Sequence, residues 1–82
     1  MDKNEVTQEI TKIFQETLPE LKGKNIELEK NQGDFESWDS FIHMELVGKI
    51  EQKFGISLEV DEVIELDSPK KFIQMVLRKK GN

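Results

Sequence analysis

Apolar residues return every third or fourth position in three segments of this chain, and no segment alternates as a half-buried strand requires. In the first segment Val6, Ile10, Ile13, Phe14, Thr17 and Leu18 share one helical face. Pro19 has no amide to give to such a ladder, so that helix is predicted to end near residue 18. The second stripe is Leu46, Val47, Ile50 and Phe54, on a helix predicted over 40–54. Gly55 suits the left-handed position just past its end, which lets Ile56 fold back over Ile50. Val60 to Leu66 reads as a short acidic turn of helix with Val63, Ile64 and Leu66 facing inward. Ser68 as cap and Pro69 at the first helical position open the last helix, whose buried face is Phe72, Ile73, Val76 and Leu77. Its terminal cations complement the carbonyl end of the helix dipole. The fold class is therefore all-α: one domain over residues 1–82, a small bundle of three principal helices plus one short helix.

Residues 19–38 carry Gly23, Asn25, Asn31 and Gly33 and show no clean period. They read as a long loop between helix one and helix two, and a structureless loop of roughly 20 residues is unusual in a compact domain. Ile26, Leu28, Phe35 and Trp38 are predicted to fasten it to the core.

Several function classes are excluded early. No run of about 18 apolar residues is present, so no membrane span is expected. The acidic start "MDKNEVTQEI" has no apolar signal core, and the reading is a cytoplasmic protein. Without cysteine there is no disulfide framework, no thiolate nucleophile and no zinc cluster, and a single histidine argues against other metal sites. A net charge of −5 repels nucleic acid. The acids concentrate in two segments, with Glu27, Glu29, Asp34, Glu36 and Asp39 in one and Glu59, Asp61, Glu62, Glu65 and Asp67 in the other. Lys70, Lys71, Arg78, Lys79 and Lys80 gather at the tail, and this asymmetry steers partners with basic surfaces toward the acidic segments. The chain is expected to be a monomer.

One hydroxyl stands out, because Ser40 falls at the start of the second helix with Asp39 just before it. As N-cap, Asp39 would accept from the amide of Phe41 or Ile42, leaving the Ser40 hydroxyl to solvent at the first helical position. A phosphorylated group attached there would lie against the positive end of the dipole. Trp38 is placed to pack on residue 43 as a hydrophobic staple. A Ser40–His43 hydrolase would also need an orienting acid, an oxyanion site and a cleft, and one exposed helical turn supplies none of these. A calcium loop fits no better: Asp34, Glu36 and Glu45 echo its first, third and twelfth positions, but Asp39 stands where the turn needs glycine. No metal ligands are assigned.

The pattern "DSF…EL…IE..FGI" resembles the acyl carrier protein family, whose hallmark is Asp-Ser-Leu opening the second helix. Glu45-Leu46, Ile50-Glu51, Phe54-Gly55-Ile56, Leu58, Val63, Leu66 and the break "LDSP" follow in register, so the resemblance covers roughly residues 34–77. It implies that a separate transferase moves phosphopantetheine from coenzyme A onto Ser40, with Asp39 near the transferase's magnesium. The arm's thiol then carries acyl groups as thioesters between enzymes, and the protein itself catalyses nothing. It further implies a docking set of Phe41, His43, Met44, Glu45, Val47, Gly48, Glu51 and Glu62, and an acyl cavity lined by Ile50, Phe54, Val63, Leu66 and Phe72. Departures from the family pattern bear on specificity. Phe41 replaces leucine, Trp38 replaces a small residue, and Phe72 stands where a small residue often faces the cavity. Lys49 and Lys53 offset Glu45 and Glu51, so partners with basic or mixed docking patches, in specialised fatty-acid, lipid or polyketide-type metabolism, are expected. A D-alanyl or aminoacyl carrier, and an unmodified helical docking module, are the alternatives.

Overall fold

Three apolar stripes become three helices in the computed structural model, which describes residues 2–81. Helix α1 spans Lys3–Thr17, capped by Asp2, whose carboxylate accepts from the Glu5 amide at 2.8 Å. Helix α2 spans Ser40–Phe54 and stops at Gly55, where φ 66° and ψ 40° place the backbone in the left-handed region that glycine enters freely. Helix α3 is the short piece Val60–Glu65, and α4 runs over Pro69–Gly81 behind Ser68, whose Oγ accepts from the Lys71 amide at 3.3 Å. No strand forms among the described residues.

Helix α1 packs on both α2 and α4, and Phe14 stands at the centre. Its ring meets Trp38 and Phe72 edge-on, with centroids 5.2 and 5.3 Å away, and lies 6.5 Å from Phe35. The buried face of α4 is Phe72, Ile73, Met75 and Val76, with Leu77 only half-buried. Ile64 corrects the expectation for α3, being 74% exposed. The cause is geometric: Val63 and Leu66, three residues apart, share a face, and Ile64 lies about 100° round from Val63. A helix of six residues is too short for a period to fix more than that.

The segment between α1 and α2 is long but not structureless. It contains two 3-10 turns, Pro19–Leu21 and Gln32–Asp34, and it buries Phe35 and Trp38 while half-burying Ile26 and Leu28. Backbone bonds tie it to the opposite end of the chain: the Gln32 amide donates to Asp67 O at 2.7 Å, and the Lys70 amide to Leu28 O at 2.9 Å. Glu20 binds Ser37 twice, accepting from its hydroxyl at 2.6 Å and from its amide at 2.9 Å.

That contact gives a pH signature. Burial pushes the Glu20 carboxyl up, but the Ser37 hydroxyl and amide outweigh it, and the net shift is below the ordinary glutamate value. A carboxyl whose pKa is lower folded than unfolded stabilises above its unfolded pKa, and that support is lost as pH falls through the folded value. The Ser37 amide resonance is therefore expected to titrate with a midpoint below the usual glutamate range, and to lose that titration in Glu20→Gln. A midpoint at or above the usual range would contradict the bonding described.

Candidate functional site

The start of α2 is built by Asp39, whose extended backbone turns its carboxylate onto the Ile42 amide at 2.9 Å. The His43 amide donates to Asp39 O at 2.8 Å, closing the first turn. Helix geometry leaves the amides of Ser40 and Phe41 without intrahelical acceptors. Ser40 is exposed, and its hydroxyl makes no hydrogen bond among the described residues. An unencumbered hydroxyl thus stands at the electropositive tip of a helix of 15 residues.

Trp38 holds that tip from below. Its indole is buried and stacks on His43, with centroids 5.8 Å apart and 20° between planes, so the staple forms. Its Nε1–H donates to His43 Nδ1 at 3.0 Å, which makes Nδ1 an acceptor and puts the imidazole proton on Nε2. Nε2–H then donates to the Val63 carbonyl at 2.8 Å. One ring joins the long loop, α2 and α3. Neither of its nitrogens is free to take a proton from Ser40. The sequence shows His43 three residues before Leu46 on the inward stripe, but nothing in it signals the bond to Val63.

The sites implied by the resemblance separate into exposed and occupied ones. Phe41, at 79% exposure, and Met44 are open to solvent beside Ser40, as is Gly48. Val47, at 3% exposure, is a core residue that floors a groove. Two of the acids in the expected docking set have partners within the fold. Glu51 accepts from the Leu58 amide at 2.8 Å and holds the α2–α3 turn. Glu62 accepts from the Glu59 amide at 2.8 Å and pairs with Lys79 at 2.9 Å, contacts that hold its carboxyl below the ordinary value. Glu45 pairs with Lys49 at 3.5 Å, and Lys53 reaches across to Glu9 at 3.2 Å. The acids of this surface are largely spoken for.

What remains is an apolar surface. A groove of about 390 Å³ runs between α2 and α3, lined by Met44, Val47, Glu51, Leu58, Val60, Val63 and Ile64. Val60 and Ile64 stand exposed on its rim, and neither had been assigned to the site from sequence. Of the five residues expected to line an acyl cavity, Val63 alone lines this groove. Ile50, Phe54, Leu66 and Phe72 are packed core.

Gly48 offers a test of its own. A methyl group there would meet no atom within 4 Å, and its backbone is ordinary helix. Gly48→Ala is expected to raise stability by about 0.5–1 kcal/mol in urea unfolding. If Gly48 serves close approach of a partner, the same variant slows modification while it stabilises; if the position is merely open surface, the rate stays unchanged.

A family model for the phosphopantetheine attachment site matches residues 8–76. The chain belongs to that family. The match takes in most of α1, for which the resemblance read from sequence was one of pattern only, and extends through most of α4. No curated protein and no solved structure matches the carrier. Members of this family carry phosphopantetheine covalently, and the residues present fit the group: a free, exposed hydroxyl, helix amides without acceptors, and a capping acid that keeps the tip in place. When bound, the group supplies a thiol on a flexible arm to a carrier that has no cysteine of its own. No helix of the described residues is long and apolar enough to cross a membrane.

Proposed function

We propose that Ser40 Oγ is the attachment point and that this carrier ferries acyl groups between separate enzymes while catalysing nothing itself. The observation that carries the reading is the freedom of that hydroxyl at a capped helix tip, inside the region the family model covers. In the attachment the Ser40 Oγ–phosphorus bond forms and the pyrophosphate link of coenzyme A breaks. The nucleotide half leaves, and the hydroxyl proton goes to the transferase. Asp39 stays as cap and faces the transferase's magnesium.

The downstream partners we propose dock on apolar rather than acidic contacts. Phe41 and Met44 are exposed within about a turn of Ser40, and Val60 and Ile64 on the rim of the α2–α3 groove, whereas Glu45, Glu51 and Glu62 are already engaged. This suits enzymes with mixed patches in specialised lipid or polyketide-type metabolism. The carrier would act as a monomer in the cytoplasm.

Intact mass after treatment with coenzyme A, magnesium and a broad-specificity phosphopantetheinyl transferase tests the function. Wild-type chain is expected to gain one phosphopantetheine. A mass that does not move would instead favour a docking module that keeps the fold without the arm.

A further inference from the structure

The three residues before Ser40 turn the chain out of the long loop and into α2, and side chains from both 3-10 turns pin them. Glu20 meets Ser37 with both of its oxygens: Oε1 accepts from the hydroxyl at 2.6 Å and Oε2 from the amide at 2.9 Å. The Ser37 carbonyl accepts from the Asp39 amide at 3.0 Å, so every polar group of Ser37 is in use. Gln32 Nε2 donates to the Trp38 carbonyl at 3.2 Å, while the Gln32 amide holds Asp67 O at 2.7 Å. Asp39 in turn accepts from the Ile42 amide as cap of α2. A chain of bonds therefore runs from Glu20 through Ser37 to the cap that adjoins Ser40.

Glu20 is mounted as a fixed point. It lies in the 3-10 turn Pro19–Leu21, between the buried side chains of Leu18 and Leu21, and the Leu21 amide closes onto Leu18 O at 3.0 Å. Two donors converging from one residue need an acceptor with two oxygens, which a carboxylate offers and a carboxamide does not. Charge shortens such bonds, and 2.6 Å lies in the range of charge-assisted hydroxyl donors. Fastening the loop does not require this bracket, because Phe35 and Trp38 are buried and backbone bonds to Asp67 and Lys70 already hold its middle. The rings leave open the direction in which the backbone departs from Trp38. That direction aims the first turn of α2.

We infer that Glu20 is a positioning residue for the attachment reaction: acting through Ser37, it fixes the line along which the Ser40 hydroxyl meets coenzyme A on the transferase. This rests on attachment at Ser40. A hydroxyl off that line loses its alignment with phosphorus, and a misplacement of about 1 Å costs up to about 100-fold in rate. Glu20 bonds to Ser37 and to none of the exposed side chains beside Ser40, so its effect falls on turnover rather than on the transferase's hold of the carrier.

Transferase time courses at saturating coenzyme A, with carrier concentration varied and intact mass as readout, separate kcat from KM. Glu20→Ala is expected to lower kcat about ten-fold and to leave KM for the carrier within about two-fold. Ser37→Ala keeps its amide and should lose less, and Ser37→Thr, which retains a hydroxyl, should match wild type. The double variant Glu20→Ala with Ser37→Ala should be no slower than Glu20→Ala alone, because the two side chains act as one unit. Ile73→Val on α4 is the control, since it loosens the core without touching the bracket and should keep the wild-type kcat. A kcat unchanged in Glu20→Ala, a loss confined to KM, or an equal loss in Ile73→Val would overturn the positioning role. Should Glu20→Ala fail to fold, Glu20→Gln, whose single oxygen faces two donors, carries the comparison. A second arm needs no transferase: amide order parameters from nitrogen-15 relaxation are expected to fall at Ser37, Asp39 and Ser40 in Glu20→Ala, and unchanged values would overturn the bracket. A wild-type chain that takes up no group would instead sink the attachment reading, and the relaxation arm would still decide the bracket.

Discussion

Ser40→Ala is expected to show no mass gain after exhaustive treatment with coenzyme A and transferase, against a full single addition on wild type. The effect is all-or-none because the other hydroxyls differ in their surroundings. Ser37 Oγ is tied to Glu20 at 2.6 Å, Ser68 is buried as the cap of α4, and Thr17 is buried and accepts from Lys49 at 2.9 Å. Thr7 and Thr11 lie within α1 beyond its first turn, where the backbone amides have intrahelical acceptors. Ser57 is exposed but sits in the turn after α2, with no helical amides converging on it. Stability should hardly change, since the Ser40 hydroxyl bonds to nothing among the described residues and exposed substitutions usually stay within about 0.5 kcal/mol. Intact mass, with the helical circular-dichroism melt as control, makes the comparison, and Ser57→Ala should modify like wild type. An addition that persists in Ser40→Ala would move the site to another hydroxyl and undo the reading of the α2 tip.

The capped tip that carries Ser40 could be read from sequence because capping is local: Asp39 and Ile42 are three residues apart, and the bond between them needs no tertiary information. The Glu45–Lys49 pair at i,i+4 was visible for the same reason. Other contacts join residues that only folding brings together. Glu51 spends its carboxylate on the Leu58 amide across a turn, and Glu62 meets Lys79 from a different helix. A count of charges records such acids as available, and a fold records them as used. Val47 belongs to the inward stripe by spacing and to the docking set by resemblance, and burial decides for the stripe. The long loop was legible as a loop, and its anchors Phe35 and Trp38 were legible as aromatics with nowhere polar to go. Its backbone bonds to Asp67 and Lys70 were not legible, because residues from opposite halves of the chain make them. Those bonds explain how a connection of this length stays ordered. It is pinned by amides at its middle and by rings at its end.

The ring at that end carries the second large effect. Trp38→Ala is expected to cost about 3–5 kcal/mol, the range for deleting a large buried aromatic from a packed core. Trp38 touches Phe14, Phe35, Phe72 and His43, with ring centroids between 5.2 and 6.1 Å away, so its loss leaves one void at the junction of α1, α4 and the loop. It also strips His43 Nδ1 of its donor. For a chain of 82 residues, total stability at 0.05–0.15 kcal/mol per residue is on the order of 4–12 kcal/mol, so the variant should melt at least about 12 °C lower and lie near the edge of folding. Trp38→Phe separates the two contributions, because it keeps a ring in the cluster and deletes the N–H. It should cost about 1–3 kcal/mol, with the His43–Val63 bond weakened as the imidazole loses the partner that fixes its tautomer. Urea unfolding followed by circular dichroism measures both variants without relying on the only tryptophan, and an unchanged m-value keeps the comparison valid. A loss below about 1 kcal/mol in Trp38→Ala would mean the void refills, and that the α2 tip is held by its cap rather than by the rings beneath it.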